Sequence, residues 1–286
     1  KEKYADERRT RIIKMATEFN PEDMYADDDM VITISHLGYI KRTPLADFRQ
    51  QGRGGVGAKA SAARDEDFIE YVHQANMHST MMFFTEQGRL YWIKVYDIPE
   101  GNRQSKGRAL QNMINIQKGD KVCAFIHVKN LNDQEYVNNH YLIFATKNGL
   151  MKKTTLESYS RPRANGIIAL GLREDDRLIR VTLTDGKSQM LVASYNGKVV
   201  RFPEDTVRPM GRTASGVRAI KLDEDGKDCV VGMICVEEGS KDTVLVISDK
   251  GYGKRTLLDD ENGEPIYRIT NRGGKGVNTM NLTDKT

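Results

Sequence analysis

One four-residue pattern returns five times along the chain and constrains what it can fold into. A Ser or Thr is followed three positions later by Gly, and an apolar run comes just before it. The copies are Ser35-His36-Leu37-Gly38, Thr85-Glu86-Gln87-Gly88, Thr146-Lys147-Asn148-Gly149, Ser194-Tyr195-Asn196-Gly197 and Ser248-Asp249-Lys250-Gly251. The apolar runs are 31–34, 81–84, 142–145, 191–193 and 244–247. A period of about 50 residues points to a propeller-like or solenoid array. Such modules are stable only against their neighbours, so a surface feature repeated in sequence becomes a band in space.

Each copy reads as a β-hairpin. Apolar and β-branched residues form the first strand, and the Gly closes a short turn whose last position needs φ > 0. The return strands are expected at 39–43, 89–95, 150–155, 198–202 and 252–257. A second Gly follows 17 to 25 residues later, at Gly57, Gly107, Gly166, Gly216 and Gly276. An Arg stands four residues before it in four copies (Arg53, Arg103, Arg212 and Arg272), and the third copy has Arg161 and Arg163 around Pro162. Further apolar stretches at 121–128, 178–183 and 229–236 bring each unit to about four strands, which is one blade. The expected fold is therefore all-β, a propeller-like ring of four-stranded antiparallel blades. The repeats lie at about 30–79, 80–139, 140–189, 190–242 and 243–286.

Residues 1–29 differ. Positions 1–17 carry charge and helix formers without Gly or Pro, as at the end of a helix of a preceding domain. Asn20-Pro21-Glu22-Asp23 and Asp27-Asp28-Asp29 read as a linker. The fifth repeat stops soon after Gly276, so a chain that continues on both sides is expected.

Composition narrows the function. The 44 basic and 40 acidic residues leave a formal charge of only +4, which excludes a polybasic tail but permits basic side chains gathered on one face. Cys123, Cys229 and Cys235 form no CxxC pair and sit in apolar stretches, so buried thiols are expected. No run approaches the ~18–20 apolar residues of a membrane span, and the charged first 20 residues hold no signal peptide. The sequon at Asn281-Leu282-Thr283 carries no weight without one. Reducing cytosol is the expected compartment.

Catalytic patterns are missing. The five histidines lack HExxH spacing and no GxSxG elbow occurs. Gly186-Lys187-Ser188 ends like a P-loop, but Val181 stands where its first Gly belongs. Gly52-Arg53-Gly54-Gly55-Val56-Gly57 satisfies GxGxxG, yet it lies within a β-repeat and not in a βαβ unit. No catalytic residue and no metal ligand is assigned.

The basic residues recur at one phase. After the turn Gly come Lys41-Arg42, Lys152-Lys153, Arg201 and Lys254-Arg255, with Arg89 and Lys94 in the second copy. The Arg-to-Gly loops add Arg103, Lys106, Arg108, Arg161, Arg163, Arg212, Arg218, Arg272 and Lys275. Any one of them could be an ordinary polar residue on a wet strand. Repetition places them along one rim, and a curved positive band suits a long polyanion held through its phosphates.

Gln51-Gly52-Arg53-Gly54-Gly55-Val56-Gly57 resembles the heptapeptide box Q-R-R-G-G-K-G of bacterial DNA gyrase A subunits, with Gly52 in place of an Arg and Val56 in place of a Lys. Tyr4-Ala5-Asp6-Glu7-Arg8-Arg9-Thr10 is similar to the end of that family's catalytic core. Ser35-His36-Leu37-Gly38-Tyr39, Val95-Tyr96, Lys198-Val199-Val200-Arg201-Phe202 and Gly251-Tyr252-Gly253-Lys254-Arg255-Thr256 match it too, so the likeness spans essentially the whole chain.

The resemblance implies a C-terminal β-pinwheel that wraps duplex DNA around its outer edge, so that strand passage introduces negative supercoils. Gln51, Arg53, Gly54, Gly55 and Gly57 would then be DNA-binding, together with the basic residues above. The cleaving tyrosine would lie in the preceding core, with ATP hydrolysis in the B subunit. The implied partners are double-stranded DNA, the gyrase B subunit, and the catalytic core that precedes this domain in the same polypeptide, with no membrane. No cofactor is expected in this chain, since ATP and Mg2+ serve the holoenzyme elsewhere. The implied location is the bacterial cytoplasm, on the nucleoid. The box departures keep open the corresponding subunit of topoisomerase IV, whose box is degraded. A propeller acting as a protein-interaction scaffold is a further alternative. A sugar-cleaving propeller needs convergent carboxylates near the axis, whereas the acids fall mostly in loops such as Asp65-Glu66-Asp67 and Asp223-Glu224-Asp225.

Overall fold

The structure, a computed structural model, describes Thr10 and residues 20–48, 52–55, 67–224 and 226–283. The expected N-terminal helix and the similarity at 4–9 lie outside them. Strands are numbered in chain order. The first sheet holds β1 (Asp29–Ser35), β2 (Tyr39–Pro44), β3 (Ile69–Asn76) and β6 (Arg108–Ala109), ordered β3-β1-β2-β6. The second holds β4 (Thr80–Thr85), β5 (Arg89–Lys94), β7 (Val122–Val128) and β10 (Ile167–Ile168), ordered β10-β5-β4-β7. The third holds β8 (Tyr141–Thr146), β9 (Leu150–Thr155), β11 (Leu178–Thr184) and β14 (Val217–Arg218), ordered β11-β8-β9-β14. The fourth holds β12 (Gln189–Ser194), β13 (Lys198–Pro203), β15 (Val230–Val236) and β18 (Val277–Asn278), ordered β15-β12-β13-β18. The hairpin β16 (Thr243–Ile247) and β17 (Gly253–Leu257) forms the fifth. All strand pairings are antiparallel. Among the described residues the one α-helix, α1 (Gln134–Asn139), is capped by the Asp133 carboxylate, which accepts from Tyr136 N.

The recurring turn explains its own sequence. In all five copies the Gly N–H donates to the carbonyl of the Ser or Thr, and the Gly has φ between 75° and 84°. In four copies the Ser or Thr hydroxyl accepts from the N–H just past the Gly: Ser35 from Tyr39, Thr85 from Arg89, Thr146 from Leu150 and Ser248 from Tyr252.

The sequence repeat and the sheet do not coincide. The outer strand of each complete sheet is donated by the following repeat: β6 completes the first sheet, β10 the second, β14 the third and β18 the fourth. This donation is what the second Gly serves. A Cβ at Gly107, Gly166, Gly216 or Gly276 would lie 2.4, 2.7, 2.4 or 2.5 Å from the carbonyl oxygen of Ile40, Leu90, Met151 or Val199, and each of these glycines has positive φ. Three residues on, Leu110, Ala169, Ala219 and Thr279 donate to the carbonyls of the turn glycines Gly38, Gly88, Gly149 and Gly197. Both glycines of the repeat thus meet at one joint.

The core lies between sheets, not within them. Met81, Phe83 and Tyr91 pack against Ile32, Ile34 and Ile40, and Phe144 meets Phe84 and Leu90 in the next interface. Both faces of a sheet are therefore covered, which is why all six residues of β4 are buried. The edge strand β11 contacts both β7 and β15, so these edges line the inner side of the ring. The donated strands form the opposite, outer edge. No helix among the described residues is long and apolar enough to cross a membrane.

Candidate nucleic-acid interface

Both-sided coverage corrects part of the rim expectation. Lys41, Arg42, Lys152, Lys153 and Arg201 are buried, with at most 7% of their surface exposed. A polar strand residue faces water only if one sheet face is wet, and here neither is. These side chains tie each blade to the next repeat. Lys41 Nζ donates to the carbonyls of Asn102, Arg103 and Ser105 at 2.8, 3.2 and 2.9 Å. Lys152 Nζ donates to Tyr159 Oη, to Ala169 O at 2.6 Å and to Arg212 O, and it lies 4.8 Å from the Phe144 ring centre. Burial pushes Lys41 below the ordinary lysine range. Burial, and after it the Arg212 charge, push Lys152 down to about 7.

The next position along the strand is a latch. Arg42 reaches Glu100 at 3.2 Å, Lys153 reaches Glu204 at 2.7 Å and Arg201 reaches Asp259 at 2.7 Å. Trp92 holds this place in the second sheet and donates Nε1–H to Tyr159 O at 3.1 Å. The main chain joins in: Met210 N donates to Lys153 O and Thr270 N to Arg201 O. Two more candidates are engaged and half-buried. Arg89 bonds Tyr91 Oη and Asn165 O. Lys94 pairs with Glu22 of the linker at 2.5 Å, beside stacked Tyr25 and Tyr96 rings 5.0 Å apart.

The loop cations have the opposite fate. Lys106, Arg108, Arg161, Arg163, Arg218, Arg272 and Lys275 are exposed, and Arg103 and Arg212 are half-buried. All lie on the donated outer strands or the loops leading into them, and none pairs with a carboxylate among the described residues. Of the box, Arg53, Gly54 and Gly55 are exposed in a turn closed by Gly55 N on Gly52 O at 3.3 Å. Gln51, Val56 and Gly57 lie outside the described residues. Lys254 and Arg255 are exposed on β17, and Leu245 and Ile247 of β16 and Tyr252 of the turn between the two strands are exposed too.

One fourfold element escaped the sequence reading. Asp67, Asp120, Asp176 and Asp228 each stand two residues before an axial strand. Their Oδ1 atoms accept from the second turn residue: Leu37, Gln87, Asn148 and Asn196 N, at 2.9–3.1 Å. The signal was an Asp at constant offset from each third apolar run.

A family model described as the DNA gyrase C-terminal domain, β-propeller, matches residues 29–76, 79–129, 140–185, 189–237 and 242–285. The chain belongs to this family. The DNA gyrase A subunit of Staphylococcus epidermidis is 41% identical over all 286 residues, and that of Staphylococcus aureus 40%. The chain spans 31% of the length of these relatives. A solved C-terminal domain of DNA topoisomerase IV matches with TM-score 0.70 and 26% identity, covering 88% of this chain and 72% of that one. A solved DNA gyrase A C-terminal domain matches with TM-score 0.66 and 23% identity, covering 87% and 76%, and shares the fold. The second, third and fourth family units thus each hold three strands of one sheet and the outer strand donated to the sheet before it, and that outer edge carries cations with no carboxylate partner among the described residues.

Proposed function

We propose that this chain wraps duplex DNA along its outer edge as the C-terminal domain of a gyrase A protein. One observation carries the reading. Cations in the interior are matched to carboxylates or carbonyls, whereas Arg103, Lys106, Arg108, Arg161, Arg163, Arg212, Arg218, Arg272 and Lys275 recur without a carboxylate partner among the described residues where each repeat hands a strand to the one before. Such a band neutralises phosphates and reads little sequence, so its residual preference goes to DNA that bends easily. Bending a 20–30 bp segment by 40–90° costs on the order of 1–6 kcal/mol, and contacts spread over successive blades offset it. Arg53 in the box supplies a contact at the first-repeat end of the band. In the holoenzyme the partners are the catalytic core of the same polypeptide together with the B subunit. The product is negatively supercoiled DNA.

The test is to ligate a nicked circular plasmid with the chain bound, remove the protein and measure the linking number. A shift that scales with bound protein supports wrapping; an unchanged linking number with tight, salt-sensitive binding removes it. The topoisomerase IV reading draws on the 26% identical structure. It is separated by assembling the whole enzyme with ATP and relaxed plasmid, where gyrase yields negative supercoils and topoisomerase IV does not.

A further inference from the structure

We propose that the notch where the third and fourth repeats meet on the rim is a built phosphate site, at which one phosphodiester of a wrapped duplex is fixed. The inference rests on the wrapping reading and names the place where the path is pinned. The notch encloses about 230 Å³ and is lined by Glu157, Ser158, Arg161, Arg163 and Arg212. Three arginines from two repeats therefore line one cavity with a single acidic residue, and Glu157 makes no ion pair with any of them among the described residues.

Both loops are held before a ligand arrives. Ser160 N and its hydroxyl both donate to Glu157 O, at 3.0 and 2.8 Å, and Gly166 N donates to Arg163 O at 2.9 Å. On the other side Met210 N donates to Lys153 O, and Lys152 Nζ donates to the carbonyl of Arg212 itself. Arg212 Nε is buried and has no hydrogen-bond partner among the described residues. A buried donor without a partner is costly, and an oxyanion in the notch supplies one. The ammonium of Lys152 lies behind Arg212, and each raises the local potential felt by the other. Guanidinium forks match the paired oxygens of a phosphate in plane and spacing, which an ammonium does not. Elsewhere on the rim Arg272 is turned back onto Thr206 O and Arg218 O, so its fork is partly used.

The ligand chemistry is a phosphate oxyanion, and its two sources are a DNA backbone and free inorganic phosphate. The test compares the full chain with three variants of equal length. In one, Arg161, Arg163 and Arg212 become Gln. In the second they become Lys. In the third, the charge-matched control, Lys106, Arg108 and Lys275 become Gln. Thermal unfolding verifies that each is folded, and the Lys variant keeps the test open should the Gln variant fail to fold. Duplex affinity is measured across salt, and hydroxyl-radical footprinting maps protected phosphates on a defined duplex.

The expected result is that the notch Gln variant loses affinity about tenfold beyond the control, together with the most protected position of the footprint. The notch Lys variant should keep the salt slope, which follows charge, and lose that protected position, which follows the fork. Equal losses in the notch and control variants would overturn the proposal while leaving wrapping intact. Inorganic phosphate that stabilises the wild type but not the notch variant, with duplex binding unchanged in the notch variant alone, would make the notch a free-anion site and also overturn it. Duplex binding unchanged in all the variants would instead sink the wrapping reading.

Discussion

Replacing Glu204 by Ala tests whether the cations after the turn are latches between blades or contacts for DNA. Glu204 is fully buried. Its Oε1 lies 2.7 Å from Lys153 Nζ and 2.6 Å from Thr184 Oγ1, and its Oε2 accepts from Ser188 N at 3.3 Å. The partner side chain is 5% exposed, so the ammonium cannot reach water without moving the blade interface. Removing one member of a buried pair typically costs about 3–5 kcal/mol, because the other charge stays behind unpaired. The 4.3 Å contact of Lys153 with the Tyr141 ring offsets a little of this, and the orphaned Thr184 and Ser188 donors add to it. The expected loss is therefore about 3–5 kcal/mol. With an m value of about 2 kcal/mol/M in urea, the midpoint should fall by about 2 M.

Lys153→Met with Glu204→Leu removes both charges and keeps the volume. That exchange is expected to be neutral or stabilising. The double variant also decides the role of Lys153. A lysine on a phosphate contributes about 0.9 to the slope of log affinity against log salt, so losing one would be visible. We expect the slope to be unchanged. Urea unfolding followed by circular dichroism and salt titration of duplex binding are the two assays. A Glu204→Ala loss below about 1 kcal/mol, or a shallower salt slope in the double variant, would refute the latch assignment.

Gly216→Ala should cost more than Gly226→Ala, since both have positive φ but only the first puts a Cβ 2.4 Å from Met151 O; equal urea midpoints would contradict the joint described above. Lys152 titrates near 7 in the folded chain and near 10.4 unfolded, so the unfolded chain binds the extra proton between those values. Its contribution to stability should rise with pH from about 7 to 10, by at most about 1.4 kcal/mol per unit, and be flat below; urea unfolding of Lys152→Met across this range should lack that slope. In the box, Arg53→Ala should leave affinity for a short duplex within a few fold while reducing the linking-number change. Gly52→Arg should increase that change, because a side chain at Gly52 meets nothing within 4 Å. If only the exposed and half-buried cations of the donated loops and strands act, together with Arg53, Lys254 and Arg255, the salt slope for a fully wrapped duplex should not be steeper than about −11, whereas counting the buried and engaged ones as well would allow about −17.

The sequence carried the hairpins because their chemistry is local. A Ser or Thr hydroxyl, a Gly at positive φ and an apolar strand act within a few residues, so Ser35 and Gly38 announce their turn unaided. The second Gly was equally visible, but its cause was not. Gly107 is constrained by the carbonyl of Ile40, about one repeat earlier, and a periodic sequence does not say which sheet a strand joins. The same gap misplaced Lys41 and Lys153. Their letters suit a wet strand, and only the covering of both sheet faces turns them inward. The four aspartates before the axial strands were missed for a simpler reason. Each lies in a charged loop of varying length, so the recurrence shows only when counted from the following strand and not from the preceding Gly.

Interior pairing and rim exposure follow from one device, the strand handed backward by each repeat. A donated strand brings its own loop across the edge of the preceding sheet. The loop's carbonyls then face that sheet's second strand, where a buried lysine takes them, Lys41 those of Asn102 and Ser105 and Lys152 that of Arg212. Its side chains face outward, because the sheet ends there and no further strand covers them. A cation in the second strand is thereby consumed by the joint, and a cation in the donated loop is left without a carboxylate partner among the described residues. The formal charge of +4 does not show this division, in which the inward cations are held by carboxylates or carbonyls and the outward ones have no carboxylate partner among the described residues. An array that adds a blade adds both a latch and a length of positive edge. Its stability and its reach along a polyanion therefore grow together.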